Sequence, residues 1–332
     1  MKAAVIGAGA WGTALASLLC KKGTETALWF RDPARADAAR KNRVNPRLSS
    51  VTLPEGIVPT ADPNCVAGCS LVVMATPSFP LRQTSRTFAP YLEKDAALVS
   101  VTKGIEPETL LRMSQIVSEE TGHEVAALSG PCHAEEVAVG VPTGCVAASG
   151  NRVLAEFVQN AFMSDAFRVY TSPDIIGAEL GGALKNVIAL CAGVTAGLGF
   201  GDNTAAMLMT RGLTEIARLG VSMGAQKETL AGLSGVGDLI VTCTSVHSRN
   251  RRAGILIGQG VPPQDAMAQV GAVVEGYYAA KSAWDLSRKQ GIEMPITEAA
   301  YRVLYEGANA KDVVSSLLLR SPKPESEDAG WQ

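Results

Sequence analysis

The sequence predicts an α/β half followed by an all-α half. Three observations carry this. An apolar strand runs directly into a Gly-x-Gly-x-x-Gly turn and then an apolar helix. Short β-branched runs alternate with helical stretches over the first half. From Ser172 onward the periodicity is almost wholly helical.

The opening run, Ala3-Ala4-Val5-Ile6-Gly7-Ala8-Gly9-Ala10-Trp11-Gly12, has the order of parts that a dinucleotide pyrophosphate site needs. Gly7 permits the tight turn, Gly9 lets backbone approach the pyrophosphate, and Gly12 lets helix and strand pack closely. The helix N-terminus then faces the phosphates. A rival reading treats Lys2 and the uncharged stretch to Cys20 as a secretory or lipoprotein signal. Three glycines interrupt the apolar core such a signal needs, and no small residues precede the cysteine. No other stretch reads as long and apolar enough to span a bilayer.

Strands follow at Thr26–Phe30, Leu71–Ala75, Ala97–Val101, Val125–Leu128 and Cys145–Ala148. They read as mostly buried strands of a parallel sheet. Four strand ends carry turn or phosphate-friendly chemistry: Gly7, Thr76-Pro77-Ser78, Thr102-Lys103-Gly104 and Ser129-Gly130-Pro131. In open α/β sheets ligands sit beyond the carboxyl ends of strands, so these ends should line one crevice. Ser172-Pro173 signals a helix start, and helices are expected at about 173–197, 202–223, 249–259, 275–290, 295–306 and 309–319. The division is expected as 1–180 for the nucleotide-binding domain and 181–320 for the helical substrate domain. The polar, proline-broken 321–332 reads as a disordered tail.

The chain has 332 residues, 47% hydrophobic and 19% charged, enough for two cores. A formal charge of −2 gives no general pull toward nucleic acid or an anionic membrane, so anion binding must come from a local cluster. The seven cysteines are odd in number, scattered and without a C-x-x-C pair, which reads as free thiols in a reducing cytoplasm and gives no metal site.

Arg31 lies at the end of the second strand, nineteen residues after Gly12, where an arginine suits a ribose 2′-phosphate. Asp32 follows at once and keeps NAD open, so the cofactor reads as NADP or NAD. Lys103 ends a buried strand and either points into the crevice or snorkels. Lys185 follows Gly177, Gly181 and Gly182 on one helix. Three helical glycines cost about 1 kcal/mol each relative to alanine, which implies close approach by a ligand or another backbone. A desolvated amine there would have a lowered pKa suited to proton transfer. Asp238, in Gly235-Val236-Gly237-Asp238, either meets hydroxyls or a lysine, or caps a helix. Ser248 can cap a helix opening with Arg249, Asn250, Arg251 and Arg252, a local anion site fit for a phosphate monoester. His133 and His247 are weaker acid–base candidates than Lys185. Glu275, after Val273-Val274, meets a ribose or nicotinamide group or simply opens a helix.

Taken together, Gly7–Gly12, Thr102-Lys103-Gly104, Ser129-Gly130-Pro131, Gly181-Gly182-Ala183-Leu184-Lys185-Asn186, Gly237-Asp238-Leu239, Ser248-Arg249-Asn250 and Val274-Glu275-Gly276 resemble bacterial NAD(P)-dependent glycerol-3-phosphate dehydrogenases, in order from residue 1 to about 320. The resemblance implies a Rossmann-type domain followed by a helical domain like the C-terminal part of 6-phosphogluconate dehydrogenase. It implies a homodimer in the cytoplasm, without stable membrane insertion, interconverting dihydroxyacetone phosphate and sn-glycerol 3-phosphate for phospholipid synthesis. Lys185 would transfer the proton. Lys103, Gly130, Cys132, Asp238, Ser248, Arg249 and Asn250 would contact the substrate. Ala10, Trp11, Arg31, Lys103, Ala134, Arg249, Val273 and Glu275 would contact the cofactor. Cys132 stands where relatives often carry Ser or Thr, so a contact there is expected through backbone. The alternative, a 3-hydroxyacid or 6-phosphogluconate-type dehydrogenase, usually has an asparagine four residues after the lysine. Here that position is Ala189.

Overall fold

Every run expected as a strand is one, with ends shifted by no more than two residues, and all lie in one sheet. In the computed structural model, which describes residues 1–322, 324 and 325, the first half runs β1 (Lys2–Ile6), α1 (Ala10–Lys21), β2 (Glu25–Trp29), α2 (Pro33–Asn42), β3 (Ile57–Thr60), β4 (Leu71–Met74), α3 (Leu81–Phe88), β5 (Ala97–Ser100), α4 (Met113–Thr121), β6 (Val125–Ser129), α5 (Ala134–Val139), β7 (Thr143–Ala148), α6 (Arg152–Phe162) and β8 (Phe167–Ser172). The sheet order is β3-β2-β1-β4-β5-β6-β7-β8. β1, in the opening run, is an interior strand: Ala3 to Ile6 are fully buried between β2 and β4.

Two strands escaped the sequence reading. β3 carries Pro59 and exposes Val58, as only an edge strand tolerates. β8 alternates buried Phe167 and Val169 with exposed Arg168 and Tyr170 at the other edge. One expectation is corrected: β7 runs antiparallel to β6, and only β8 is parallel to β7. The six residues of α5 span about 9 Å, too short to carry the chain back along the sheet, so it doubles back beside β6.

The second half is α7 (Ile175–Gly197), α8 (Asp202–Ser222), α9 (Lys227–Leu230), α10 (Asp238–Thr244), α11 (Arg249–Gly258), α12 (Pro263–Val270), α13 (Glu275–Gln290), α14 (Pro295–Tyr305) and α15 (Ala310–Leu318). All six expected helices are present. α9, α10 and α12 have eight residues or fewer, too short for periodicity to reveal. α7 is the hub, packed by α8, α10, α11 and α13. Its cap is Asp174, whose carboxylate accepts from Gly177 N at 2.8 Å; Ser172 ends β8 and accepts from Asp174 N. Residue 180 therefore lies inside α7.

The membrane reading also needs correcting. α7 is long and apolar enough to cross a bilayer, with Glu179 and Lys185 as its charged residues. It nevertheless lies inside the protein, with 83% of its most apolar window buried. Of the tail expected over 321–332, residues 323 and 326–332 lie outside those described.

Candidate active site

The glycine turn closes by direct backbone contact. Gly7 has φ +121°, and a side chain there would press on Ala75 O at 2.7 Å. A Cβ on Gly12 would overlap Gly7 O, so helix and strand pack as the fingerprint requires. Gly9 faces open space. The N–H groups of Ala10, Trp11 and Gly12, in the first turn of α1, have no acceptor within the helix. This arrangement fits the pyrophosphate of a dinucleotide. The Trp11 ring itself packs inward, 6.4 Å from the Phe167 ring, which leaves its backbone for a ligand. Asn45 went unnoticed in the sequence: its amide donates to Ala8 O (3.0 Å) and Thr13 Oγ1 (2.7 Å), bracing the turn.

Arg31 is exposed at the end of β2. Asp32 beside it caps α2, accepting from Ala34 N at 3.0 Å, and both side chains are exposed. Arg31→Ala should raise the NADPH-to-NADH ratio of KM roughly tenfold, the size of one charge-assisted hydrogen bond. An unchanged ratio sinks the 2′-phosphate assignment.

The two halves meet in an ion cluster beyond the carboxyl end of β5. Lys103, just beyond β5, donates to Asp238 Oδ2 at 2.5 Å and to Gly130 O at 3.0 Å. Lys185, midway along α7, donates to Asp238 Oδ1 and to Thr242 Oγ1, the latter at 2.7 Å. Asp238 is the first residue of α10, and one carboxylate thus bridges lysines from both halves. The glycines of α7 explain the approach. A Cβ on Gly181 would overlap Ser234 O, and one on Gly182 would stand 2.7 Å from Ser129 Oγ. Bare backbone lets the turn before Asp238, and the end of β6, lie against the helix.

Burial pulls the Lys185 ammonium down to about 8, against the Asp238 carboxylate, and Lys103 adds like-charge repulsion. Burial also acts to lower Lys103, but Asp238 outweighs it and holds that ammonium above its usual range. The two ammonium groups are thus shifted in opposite directions around one carboxylate.

Thr242 was not singled out from sequence; its spacing of four from Asp238 on one helix face is the signal that finds it. Asn186 is a second such residue. Its Oδ1 accepts from Asn250 Nδ2 at 2.9 Å, while Asn250 Oδ1 accepts from Gly276 N at 2.8 Å. Asn250 is thus turned inward, tying α7, α11 and α13 together behind Lys185. Ser248 caps α11 as expected, accepting from Arg251 N at 3.2 Å, with the Arg249 side chain exposed at the first turn.

Gly130, with φ +153°, offers its carbonyl to Lys103. The Cys132 thiol turns toward Gly144 O, at 3.9 Å. Ala134 opens α5 directly after His133. The His133 and His247 rings lie 6.0 Å apart. Burial holds His133 below the usual histidine range, and its Nε2 is 3.5 Å from Val241 O. Glu275, after Val273-Val274, both opens α13 and reaches across to Ser78, whose Oγ it meets at 2.6 Å. A separate cavity of about 490 Å³ between α7, α8, α14 and α15 is lined by none of these residues.

The family models for the NAD-dependent glycerol-3-phosphate dehydrogenase N-terminus and C-terminus match residues 2–155 and 174–315. The chain belongs to the NAD-dependent glycerol-3-phosphate dehydrogenase family. A glycerol-3-phosphate dehydrogenase [NAD(P)+] of Moorella thermoacetica is 53% identical over 99% of this chain and 98% of its own length. One from Desulfitobacterium hafniense is 50% identical over 98% and 94%. The crystal structure of the Coxiella burnetii glycerol-3-phosphate dehydrogenase superposes with a TM-score of 0.93 at 36% identity, covering 96% of this chain and 99% of that one. D-mandelate dehydrogenase, at 16% identity and a TM-score of 0.62, shares the fold only. Within the glycerol-3-phosphate dehydrogenase family, the lysine-bearing helix α7 falls in the C-terminal domain and Lys103 in the N-terminal one.

Proposed function

We propose that this chain interconverts dihydroxyacetone phosphate and sn-glycerol 3-phosphate with NAD(P)H, as the names of its relatives describe for those proteins. The observation that carries the reading is the Lys103–Asp238–Lys185 cluster, where the two halves meet. Bound NAD(P)H would supply the hydride to the ketone carbon. Lys185 then stabilises the negative charge developing on the ketone oxygen and protonates it; in the reverse direction the neutral amine takes the hydroxyl proton. Lys103 keeps a second positive charge beside the substrate. Asp238 fixes both ammonium groups. Gly130 and Cys132 offer backbone, and the capped start of α11, with Ser248, Arg249 and Asn250, receives the phosphate. On the cofactor side the reading uses Gly7, Gly9, Ala10, Trp11, Gly12, Arg31, Ala134, Arg249, Val273 and Glu275.

The division into domains is read as 1–180 and 181–320; drawing it at Pro173-Asp174 keeps α7 whole. The reading further places the enzyme in the cytoplasm as a homodimer serving phospholipid synthesis. Light scattering of the purified protein tests the dimer.

NADPH oxidation followed with dihydroxyacetone phosphate and with 3-oxo acids tests the activity. Turnover is expected with the phosphate ketone alone; turnover with 3-oxo acids instead rules the assignment out. Arg249→Ala should raise the KM for dihydroxyacetone phosphate by roughly 10- to 100-fold, from the loss of one or two charge-assisted bonds. A KM within twofold of the parent would remove the α11 start from the phosphate site.

A further inference from the structure

The loop after β4, Thr76-Pro77-Ser78-Phe79-Pro80, belongs to the first half and α13 to the second, yet they are fastened twice. Ser78 N donates to Glu275 Oε1 at 3.2 Å and Ser78 Oγ donates to Glu275 Oε2 at 2.6 Å. One helical turn on, the Phe79 and Tyr278 rings lie 5.8 Å apart. The loop is also held from within its own half. Thr102 Oγ1 donates to Thr76 O at 2.8 Å, and Ser78 packs so closely on Gly104 that a Cβ there would stand 2.5 Å from its own. Ser78 is buried, and its loop borders the glycine turn through Ala75 and Thr76.

A glutamate at the first position of a helix ordinarily serves that helix's own N–H groups. Here Asn250 Oδ1 already takes Gly276 N and Val274 O takes Tyr277 N. The Glu275 carboxylate is thereby released to cross to the loop. A carboxylate has about four acceptor positions, and Ser78 fills two from one side. The others remain for hydroxyl or amide donors of a ligand in the crevice. Burial pushes the carboxyl up and the two Ser78 donors pull it back.

We propose that Ser78 is a positioning residue for the dinucleotide: through its N–H and hydroxyl it holds Glu275, across the boundary between the halves, in the orientation that receives the nicotinamide ribose end. This rests on the cofactor role read above for Glu275. Acting through another side chain, Ser78 need not touch the cofactor itself.

The test is a double-mutant cycle on Ser78→Ala and Glu275→Ala. It is read by equilibrium NADPH fluorescence titration and by steady-state kinetics. Ser78→Ala should raise the NADPH Kd and KM roughly tenfold, one charge-assisted hydrogen bond. Its kcat at saturating cofactor and its KM for dihydroxyacetone phosphate should stay within about threefold. The double variant should bind NADPH no more weakly than Glu275→Ala alone. Ser78→Thr, which keeps the hydroxyl, should restore binding. Should Ser78→Ala fold poorly, Ser78→Cys, a near-isostere with a weak donor, carries the same expectation. Additive losses, or equal losses in kcat and both KM values, overturn the positioning role. So does weak NADPH binding by Glu275→Ala with none by Ser78→Ala, an outcome that leaves the cofactor reading of Glu275 standing. Unchanged NADPH binding in Glu275→Ala removes both together.

Discussion

Lys185→Ala should abolish turnover, with kcat down by at least about 10³-fold, while NADPH binding stays within about twofold of the parent. The magnitude combines a lost proton donor, commonly worth 10²–10⁴, with lost stabilisation of the charge on the ketone oxygen. The glycine turn, where the dinucleotide is proposed to bind, lies between β1 and α1, on other elements than Lys185. The pH dependence of the parent enzyme follows from the same residue. Burial places the Lys185 ammonium at about 8. Reduction needs the protonated form, so kcat for dihydroxyacetone phosphate should hold below pH 8 and fall above it. Oxidation needs the neutral amine, so kcat for glycerol 3-phosphate should rise through the same pH. Stopped-flow NADPH absorbance across pH 6–10 reads both limbs. More than a few per cent of activity retained in Lys185→Ala moves the acid–base role elsewhere, with His133 the next candidate.

Asp238→Asn should damage stability and activity at once. Its carboxylate is 1% exposed and is shared by two ammonium groups. Removing one partner of a buried ion pair leaves uncompensated charge and typically costs about 3–5 kcal/mol, and here two lysines lose the same partner. Urea unfolding monitored by fluorescence should show a loss of that order. Loss of the carboxylate also removes what opposes burial at Lys185, so its ammonium becomes more acidic. The alkaline fall in dihydroxyacetone phosphate reduction should therefore move below pH 8. A stability change under about 1 kcal/mol together with an unmoved limb would show that the bridge is not what holds the lysines.

Much of this was readable in the residues because local rules and tertiary needs coincide. Gly7 and Gly12 are required by the close packing of this strand–turn–helix, and long helices such as α7, α8 and α13 repeat their pattern over several turns. The glycines of α7 announced a close neighbour, and the Ser234 backbone is that neighbour. What stayed hidden depends on partners far away in the chain. Nothing near Thr242 marks it as a lysine partner, since Lys185 lies 57 residues earlier. Ser78 and Glu275 are 197 residues apart. Asn250 read as a ligand contact, yet most of its amide capacity goes to Asn186 and Gly276. The reversal of β7 is marked only by the short connection through α5, not by the residues of β7 itself.

That reversal shapes where chemistry sits. β8 runs alongside β7, so its last residue lies level with the ends of β1, β4 and β5: Ser172 pairs with Ala148, Ala148 with Ala127, Ala127 with Ser100, Ser100 with Met74 and Met74 with Ile6. α7 begins three residues later, and its tenth residue beyond Ile175, about 15 Å along its axis, is Lys185, which reaches the cluster. Lys185, the proposed proton-transfer residue, thus stands midway along the hub helix rather than on a loop or a helix end. In many enzymes a loose, strained site gains turnover at the expense of robustness. Here the two requirements converge. Substitutions that tighten the packing of α7 should raise thermal resistance without slowing the enzyme, which makes this helix a favourable target for engineering a heat-stable variant.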